Sequence, residues 1–180
     1  MAKGRASPQR RRSMRIVTGG GLELVLDGTL LTLTHSGRDG RSEQSRLDLA
    51  RPELLDFEYM QHLTLLLAAF FPGDVPVRAM HAGAGACALP LAWASRRPGS
   101  SQVAVDLDGE LVEALRDWRV IRPGRGLRLR AGDARVALEG SGATFDVVVR
   151  DAFAGDVTPQ ALSTVEWAGL VRSRLRSPGV

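Results

Sequence analysis

The stretch that most constrains the fold is a glycine-containing segment near the middle of the chain, Val77 to Pro90. A short apolar run leads into Gly83-Ala84-Gly85, and an alanine- and leucine-rich segment follows. This order predicts a strand, a glycine turn and a helix, as in nucleotide-binding α/β domains, because glycine accepts positive φ and lets a ligand approach the backbone. Proline is tolerated only in the first turn of a helix, so Pro90 places the helix start near Cys87.

Charge is distributed unevenly along the chain. The net charge is +4, but residues 1–15 carry six basic residues and no acidic one, so the remainder has a net charge of −2. We expect residues 1–15 to form a disordered basic tail, because a segment rich in Arg, Ser and Gly cannot bury enough apolar surface to fold. A solvated tail is the simpler interpretation, so we do not expect nucleic acid as a partner.

Composition excludes several other classes of protein. With 44% hydrophobic residues in 180 positions, the chain can form one well-buried core. The single cysteine excludes an internal disulfide, and no Cys/His spacing indicates a metal site. No apolar run approaches the ~20 residues of a membrane helix, so we expect a cytoplasmic protein without membrane association.

Residues 16–50 predict a small antiparallel sheet. The apolar runs 22–26 and 30–34 flank Asp27-Gly28-Thr29, and Asp-Gly between apolar runs is a strong hairpin signal. A third strand is expected over 44–49. A sheet of this size needs a packing partner, which we expect to be a Rossmann-like nucleoside-binding domain over residues 51–180.

From residue 51 onward, helical and strand patterns alternate. We predict strands over 77–82, 102–105, 127–130 and 145–149, and helices over 53–71, 87–95, 109–118 and 158–175. In the last helix, Thr158 would be the N-cap and Pro159 the first residue. The alternation predicts an α/β fold with a parallel, doubly wound sheet.

The number of parallel strands leads to a further expectation. Only four are present, so we expect a C-terminally shortened sheet in which strand 145–149 is an unpaired apolar edge. Such an edge is a template for association, which makes self-association, including a homodimer, the expected consequence.

Glycine or aspartate follows every strand of the predicted sheet: Gly83 and Gly85, Asp106, Asp133, and Asp151. Ligands of doubly wound sheets bind at this edge. Asp106 can accept hydrogen bonds from two ribose hydroxyls, and Asp133 with the Ala134 N–H can meet an adenine. Asp151 lies nearest a reacting amine. Helix or turn capping would explain any one of these aspartates, but their joint position favours a nucleoside site.

Two further residues are expected to be structural. His81, at the end of a buried strand, is more often a hydrogen-bonded core histidine than a ligand-binding one. Cys87 is expected to be a small buried side chain rather than a reactive thiol.

Several motifs occur in a specific order between about Gly28 and Val180. They are Gln44, Asp56-Phe57-Glu58-Tyr59, His81-Ala82-Gly83-Ala84-Gly85-Ala86, Val105-Asp106-Leu107-Asp108, Gly132-Asp133-Ala134, and Asp151-Ala152-Phe153 before Thr158-Pro159. Together they resemble spermidine synthase-like proteins, whose fold is the class I S-adenosylmethionine-dependent methyltransferase fold preceded by a small β-sheet.

The resemblance implies a transferase that binds S-adenosylmethionine or its decarboxylated form and transfers an aminopropyl or methyl group to an amine acceptor. Gln44 would contact the thioether end of the nucleoside, Asp106 the ribose and Asp133 the adenine. Tyr59 and Asp151 would be the catalytic residues facing the transferred group and the acceptor. A sulfonium is a good leaving group, so the protein mainly orients the reactants and deprotonates the amine.

The sequence departs from the family at two acidic positions. The family's glycine loop carries an acid where this chain has Ala86, and a second aspartate follows three residues after Asp151, where this chain has Ala154. Two alternatives therefore stay open. One is a non-catalytic nucleoside-binding remnant. The other is an NAD-dependent oxidoreductase, because residues 83–88 also match Gly-x-Gly-x-x-Ala with Asp106 suitably placed for a ribose.

Overall fold

The computed structural model describes residues 13–37, 40–122, 126–153 and 157–180. Its first four strands pair antiparallel in chain order: β1 (Ser13–Val17), β2 (Leu22–Asp27), β3 (Leu30–Gly37) and β4 (Gly40–Asp48). The predicted Asp-Gly hairpin is confirmed, since Asp27 pairs with Leu30 and Gly28 has a φ of 64°. Leucines at alternate positions form the buried face of this sheet.

The antiparallel sheet begins earlier than the sequence predicted. The boundary of the basic tail at residue 15 is wrong, because residues 13–15 belong to β1 and pair with β2. Arg15 donates a hydrogen bond to the buried Glu23 carboxylate, which also accepts one from Arg41. This cross-strand pairing favours a strand despite the polar composition. The rest of the predicted tail, residues 1–12, lies outside the described residues.

The remainder of the chain forms a parallel sheet. Its strands are β5 (Arg78–Ala82), β6 (Ser101–Asp106), β7 (Leu127–Ala131) and β8 (Val147–Arg150), in the spatial order β7-β6-β5-β8. Its helices are α1 (Glu58–Phe70), α2 (Ala88–Arg96), α3 (Gly109–Asp117), α4 (Ala134–Glu139) and α5 (Val165–Arg174). The predicted α/β class with a parallel sheet is confirmed.

Two core clusters cover the two faces of the parallel sheet. The larger cluster joins the leucines of the antiparallel sheet to α1, α2, α3 and one sheet face. The smaller cluster packs α4 and α5 on the other face, around residues such as Met80, Leu138 and Trp167. Helices on both faces make the sheet doubly wound, as predicted.

The helices differ from the predictions in three ways: two begin at other residues, and one was not predicted. The long helix begins at Glu58 rather than at residue 53. The segment before it is not helical, because Pro52 and Leu55 are buried there in an irregular conformation. Thr158 does not cap the last helix: Pro159 precedes a short 3-10 turn, and Thr164 caps α5 by accepting a hydrogen bond from the Trp167 N–H at 3.2 Å. The sequence patterns missed α4 altogether.

The expectation of an unpaired edge at β8 is wrong. The Val148 N–H donates to the Val180 carbonyl and the Val180 N–H donates to the Asp146 carbonyl, both at 2.9 Å. The Arg176 N–H donates to the Phe145 carbonyl at 2.8 Å. The C-terminal residues thus pair with the outer side of the chain between Phe145 and Val148, while β8 remains the last strand of the sheet. The edge is therefore partly covered, which weakens the reason for expecting edge-to-edge association.

No helix in the described ranges is long and apolar enough to cross a bilayer.

Candidate functional site

A cavity of about 530 Å³ opens at the carboxyl ends of the parallel strands, and the antiparallel sheet contributes one wall of it. All the residues that the sequence selected for a site line this cavity: Gln44, Tyr59, Gly83, Gly85, Asp106, Asp133, Ala134 and Asp151. The parallel topology explains the convergence of the aspartates, because strands that run in the same direction end at the same edge. The ligand roles assigned to these residues remain predictions.

The glycine loop packs tightly against the end of β8. Gly83 has a φ of +98°, and a Cβ at this position would overlap the backbone carbonyl of Asp151. The Gly83 N–H donates to the Val105 carbonyl at 2.9 Å. Gly83 is therefore required by the close approach of two neighbouring strand ends.

Asp106 fixes the conformation of the same loop. Its Oδ2 accepts hydrogen bonds from the N–H groups of Ala84 and Gly85, at 2.8 and 3.3 Å. Its Oδ1 accepts one from the Asp108 N–H at 3.0 Å. The half-buried carboxylate thus joins the ends of β5 and β6. Of the roughly four lone-pair sites of a carboxylate, about one is left for a ligand hydroxyl.

Asp133 is the N-cap of α4. Its Oδ1 accepts hydrogen bonds from the N–H groups of Arg135 and Val136, at 2.7 and 3.1 Å. The capping role that the sequence analysis weighed against a binding role is therefore present. Within the described residues no hydrogen bond uses the second oxygen, and Asp133 and Ala134 both line the cavity.

Tyr59 and Asp151, far apart in the sequence, form a hydrogen-bonded pair. The Tyr59 hydroxyl donates to Asp151 Oδ2 at 2.9 Å. Burial raises the pKa of the Asp151 carboxyl from 3.8 to about 6, and the hydrogen bond from Tyr59 offsets part of this rise. Burial and the adjacent carboxylate likewise raise the pKa of the Tyr59 hydroxyl. Asp151 can therefore exchange a proton near neutral pH, whereas Tyr59 remains protonated.

The antiparallel sheet brings β4 to the cavity. The half-buried Gln44 lines it, with its side-chain amide donating to the Ser42 hydroxyl at 2.7 Å. Its neighbour Ser45, which the sequence analysis did not select, is buried and also lines the cavity. The signal that could have identified Ser45 is alternation, because the buried Leu47 points to the same face of the strand two positions later.

A turn of the antiparallel sheet is bonded to the loop that carries Asp106. The Thr18 hydroxyl donates to Asp108 Oδ2, and the Gly19 N–H donates to Glu110 Oε2, both at 2.6 Å. Thr18 is buried. The sequence contains no local signal for this contact, since Thr18 and Gly19 are about 90 positions away from Asp108 and Glu110 at the start of α3.

His81 and Cys87 have structural environments. The buried His81 ring shares a hydrogen bond of 2.8 Å with Gln102 Oε1 and packs on Trp93, and burial lowers its pKa to about 4. Cys87 is the fully buried residue before α2, and burial raises the pKa of its thiol. Both residues are therefore buried as predicted, and His81 also lines the cavity.

The charge of the cavity wall is of one sign. Four carboxylate side chains line it, those of Glu43, Asp106, Asp133 and Asp151, and no Lys or Arg is among the described lining residues. No grouping of three or more His, Cys, Asp or Glu side chains suited to a metal ion occurs in the part of the chain that the structure describes. The wall therefore favours a ligand that carries positive charge.

Comparison with known proteins finds one similar curated sequence and several similar solved structures. No protein-family model matches the chain. A polyamine aminopropyltransferase of Vibrio vulnificus (strain CMCP6) is 28% identical over 125 residues, which are 68% of this chain and 42% of that protein. The chain thus spans less than half the length of this curated relative.

Solved structures agree with this match. A probable spermidine synthase from Corynebacterium glutamicum superposes with a TM-score of 0.68 and 26% identity, covering 98% of this chain and 61% of that one. Human methyltransferase-like protein 13, in complex with SAH, superposes with a TM-score of 0.59 and 21% identity, covering 68% and 62%. These matches confirm the spermidine synthase-like resemblance and the class I methyltransferase fold that the motifs predicted.

Proposed function

We propose that this spermidine synthase-like chain binds an S-adenosylmethionine-type sulfonium nucleoside in the cavity and transfers an alkyl group from it to an amine. The observation that carries the proposal is the convergence of Asp106, Asp133 and the Tyr59–Asp151 pair on a single cavity. Ribose, adenine and a reacting amine each need one such acceptor, and each is offered by a different strand end. The relatives, an aminopropyltransferase and a methyltransferase among them, support the same reaction class.

The charge of the wall favours the decarboxylated donor. S-adenosylmethionine carries a carboxylate on its methionine chain, and an anion in a cavity lined by four carboxylates would need a cationic or N–H partner. Decarboxylated S-adenosylmethionine carries only positive charges on that chain. We therefore propose aminopropyl transfer in preference to methyl transfer.

In the proposed reaction, the nitrogen lone pair of the acceptor amine forms a bond to the carbon next to the sulfonium. The carbon–sulfur bond breaks, and its electron pair returns to sulfur, which leaves as a neutral thioether. The proton released by the amine passes to the Asp151 carboxylate. A carboxyl with a pKa of about 6 is ionised above that pH and is a stronger base than an ordinary aspartate.

The test is calorimetric titration of the full chain with decarboxylated S-adenosylmethionine, S-adenosylmethionine and NAD. We expect the decarboxylated nucleoside to bind most tightly and NAD to bind weakly or not at all. Tight binding of NAD alone would replace the proposal with the oxidoreductase alternative. If the decarboxylated nucleoside binds, the next measurement is turnover. Release of methylthioadenosine, the thioether product, in the presence of diamines would establish it.

One observation favours a second candidate, a nucleoside-binding protein without turnover. Residues 83–86 of the glycine loop carry no carboxylate, whereas the family resemblance implies one there. The position of Ala154 lies outside the described residues. Binding of the decarboxylated nucleoside without methylthioadenosine release, across several amine acceptors, would favour this candidate.

A further inference from the structure

The strand β4 has one residue more than its partner β3 at the point where it reaches the cavity. In the pairing of the two strands, Leu33 lies opposite Ser45. The next residue of β3, Thr34, lies opposite Glu43. Gln44 therefore has no opposite residue, which makes it the extra residue of a β-bulge. Bulges are common beside functional sites, where they turn a side chain in a new direction.

The bulge changes which side chains of β4 belong to the cavity wall. In a regular strand, successive side chains alternate between two faces, so three in a row do not share one face. Glu43, Gln44 and Ser45 are successive, and all three line the cavity. After the bulge the alternation is regular, with Ser45 and Leu47 buried. Because the break in alternation falls at the extra residue, the bulge accounts for Gln44 in the wall.

The Gln44 side chain has an acceptor that a ligand can reach. Its Nε2 donates to the Ser42 Oγ at 2.7 Å, which ties the amide to its own strand. Within the described residues the amide oxygen makes no hydrogen bond, and it is not among their buried unpaired atoms. This oxygen is therefore accessible, unlike the Ser45 hydroxyl, and can accept a hydrogen bond from a ligand.

We propose that the bulge is the positioning element through which the antiparallel sheet binds the ligand: it places the Gln44 amide oxygen against the positively charged chain of the bound sulfonium nucleoside. This inference rests on the proposed function and adds a backbone feature to it. A glutamine at this point of a regular ladder would lie opposite Thr34, on the face away from Ser45. The side chain alone is therefore not sufficient.

The test removes the bulge without removing a glutamine from β4. Deletion of Gln44 leaves both flanking pairs, Leu33 with Ser45 and Thr34 with Glu43, in register. Combined with Glu43→Gln, the deletion keeps a glutamine directly before Ser45, and this double change is the bulge-free variant. The matched control is Glu43→Gln alone, which carries the same substitution and retains the bulge.

The binding of two probes to the full chain is measured by calorimetry. Decarboxylated S-adenosylmethionine carries the charged chain, and adenosine lacks it. We expect the bulge-free variant to bind the first probe about tenfold more weakly than the control, because a hydrogen bond to a charged group is lost. Affinity for adenosine should stay within about twofold of the control. Both proteins lack the ion pair of Glu43 with Arg46, so that loss cancels in the comparison.

Two further measurements separate this role from a structural one. Gln44→Ala keeps the extra residue and loses the amide, so it should lose affinity for the charged probe to the same extent as the bulge-free variant. Thermal melting of the ligand-free proteins should show no loss of stability in the bulge-free variant relative to the control, because a bulge interrupts the ladder that its removal makes continuous.

Four outcomes would overturn the proposal. Equal affinity of the bulge-free variant and the control would show that glutamine reaches the ligand from a regular strand. Full affinity of Gln44→Ala would remove the amide from the site, and equal losses for both probes would place it away from the charged chain. A lower melting temperature of the bulge-free variant would mean that the fold needs the bulge. If the unmodified chain binds neither probe, the proposed function itself fails, which is distinct from these four.

Discussion

The two sheets of this protein contribute to the cavity in different ways. The parallel sheet is covered by helices on both faces and supplies carboxylates from its strand ends, of which Asp106, Asp133 and Asp151 line the cavity. The antiparallel sheet buries one face only. It contributes the uncharged polar side chains of Gln44 and Ser45 beside the carboxylate of Glu43.

The difference teaches that the two sheets supply different mixtures of side chains. Three of the four carboxylates of the cavity wall come from the parallel sheet, whereas the antiparallel sheet supplies one carboxylate and two uncharged polar groups. Carboxylates at strand ends keep access to water and are stabilised by backbone N–H groups, as Asp106 is. The buried Ser45 hydroxyl has neither, and it has no hydrogen-bond partner within the described residues. Variants of the two sheets should consequently affect stability and binding in different proportions.

The largest effect is expected for Gly83→Ala, where the parallel sheet is most tightly packed. A Cβ would overlap the Asp151 carbonyl and would force a non-glycine residue to a φ of +98°. Strain and overpacking together should lower the free energy of unfolding by about 2–5 kcal/mol, measured by urea denaturation. Gly142→Ala, with open space around the new Cβ, is the control and should change little. Equal stability of the two variants would contradict the packing described for the loop.

Asp106→Asn should impair both binding and stability. The carboxylate accepts three backbone hydrogen bonds, and hydrogen bonds to charged groups contribute about 1.5–3 kcal/mol each. We expect a lower melting temperature and a loss of methylthioadenosine affinity of about tenfold to several hundredfold. Calorimetry that shows full affinity would exclude Asp106 from the nucleoside site.

Asp133→Asn should affect binding alone. Asparagine caps a helix as well as aspartate does, so α4 should retain its stability. The new amide replaces an acceptor with a donor. The substitution should therefore reduce the affinity for adenosine ligands about tenfold more than the affinity for inosine ligands. Parallel titrations with the two nucleosides test this, and equal losses would mean that Asp133 does not contact the adenine amine.

The Tyr59–Asp151 pair predicts opposite pH dependences of stability and rate. Because the folded-state pKa of Asp151 is raised, the native state binds its proton more tightly than the unfolded state does. Its contribution to the free energy of unfolding is therefore present at low pH and is lost as the pH rises from about 4 to about 6. Denaturation of Asp151→Asn should lack this fall.

The proposed rate should rise through about pH 6 as the carboxylate forms. In Tyr59→Phe the hydrogen bond that lowers the pKa of Asp151 is absent, so the midpoint of the rate profile should move to higher pH. An unmoved midpoint would show that another group is the base.

The smallest effect is expected at the contact between the antiparallel sheet and the start of α3. Thr18→Val removes the hydroxyl that donates to Asp108, which should cost about 1.5 kcal/mol in the free energy of unfolding, at the low end for a hydrogen bond to a charged group. Thr18→Ser keeps the hydroxyl and should restore most of the loss. A double-mutant cycle with Asp108→Asn measures the coupling between these two side chains, and a coupling of zero would mean that the contact does not stabilise the protein.

The sequence determined the features that depend on local pattern and on topology. Alternating strand and helix patterns predicted the parallel sheet, and an Asp-Gly pair predicted the hairpin between β2 and β3. The aspartates at the ends of β6, β7 and β8 could be brought to one cavity without coordinates, because parallel strands share a carboxyl edge. Resemblance to a family, rather than pattern, brought Tyr59 to the same site.

Only the tertiary structure decided which groups meet between distant segments. One example is the Ser45 hydroxyl, which is buried without a partner among the described residues. Two others are the bond from Thr18 to Asp108 and the pairing of Val148 with Val180, whose neighbours in sequence carry no mark of the contact. Such contacts depend on the register of β4 and on how the two sheets pack. A hydrogen bond needs its donor and acceptor placed to within a few tenths of an ångström, and that precision comes from the packed core rather than from the local chain.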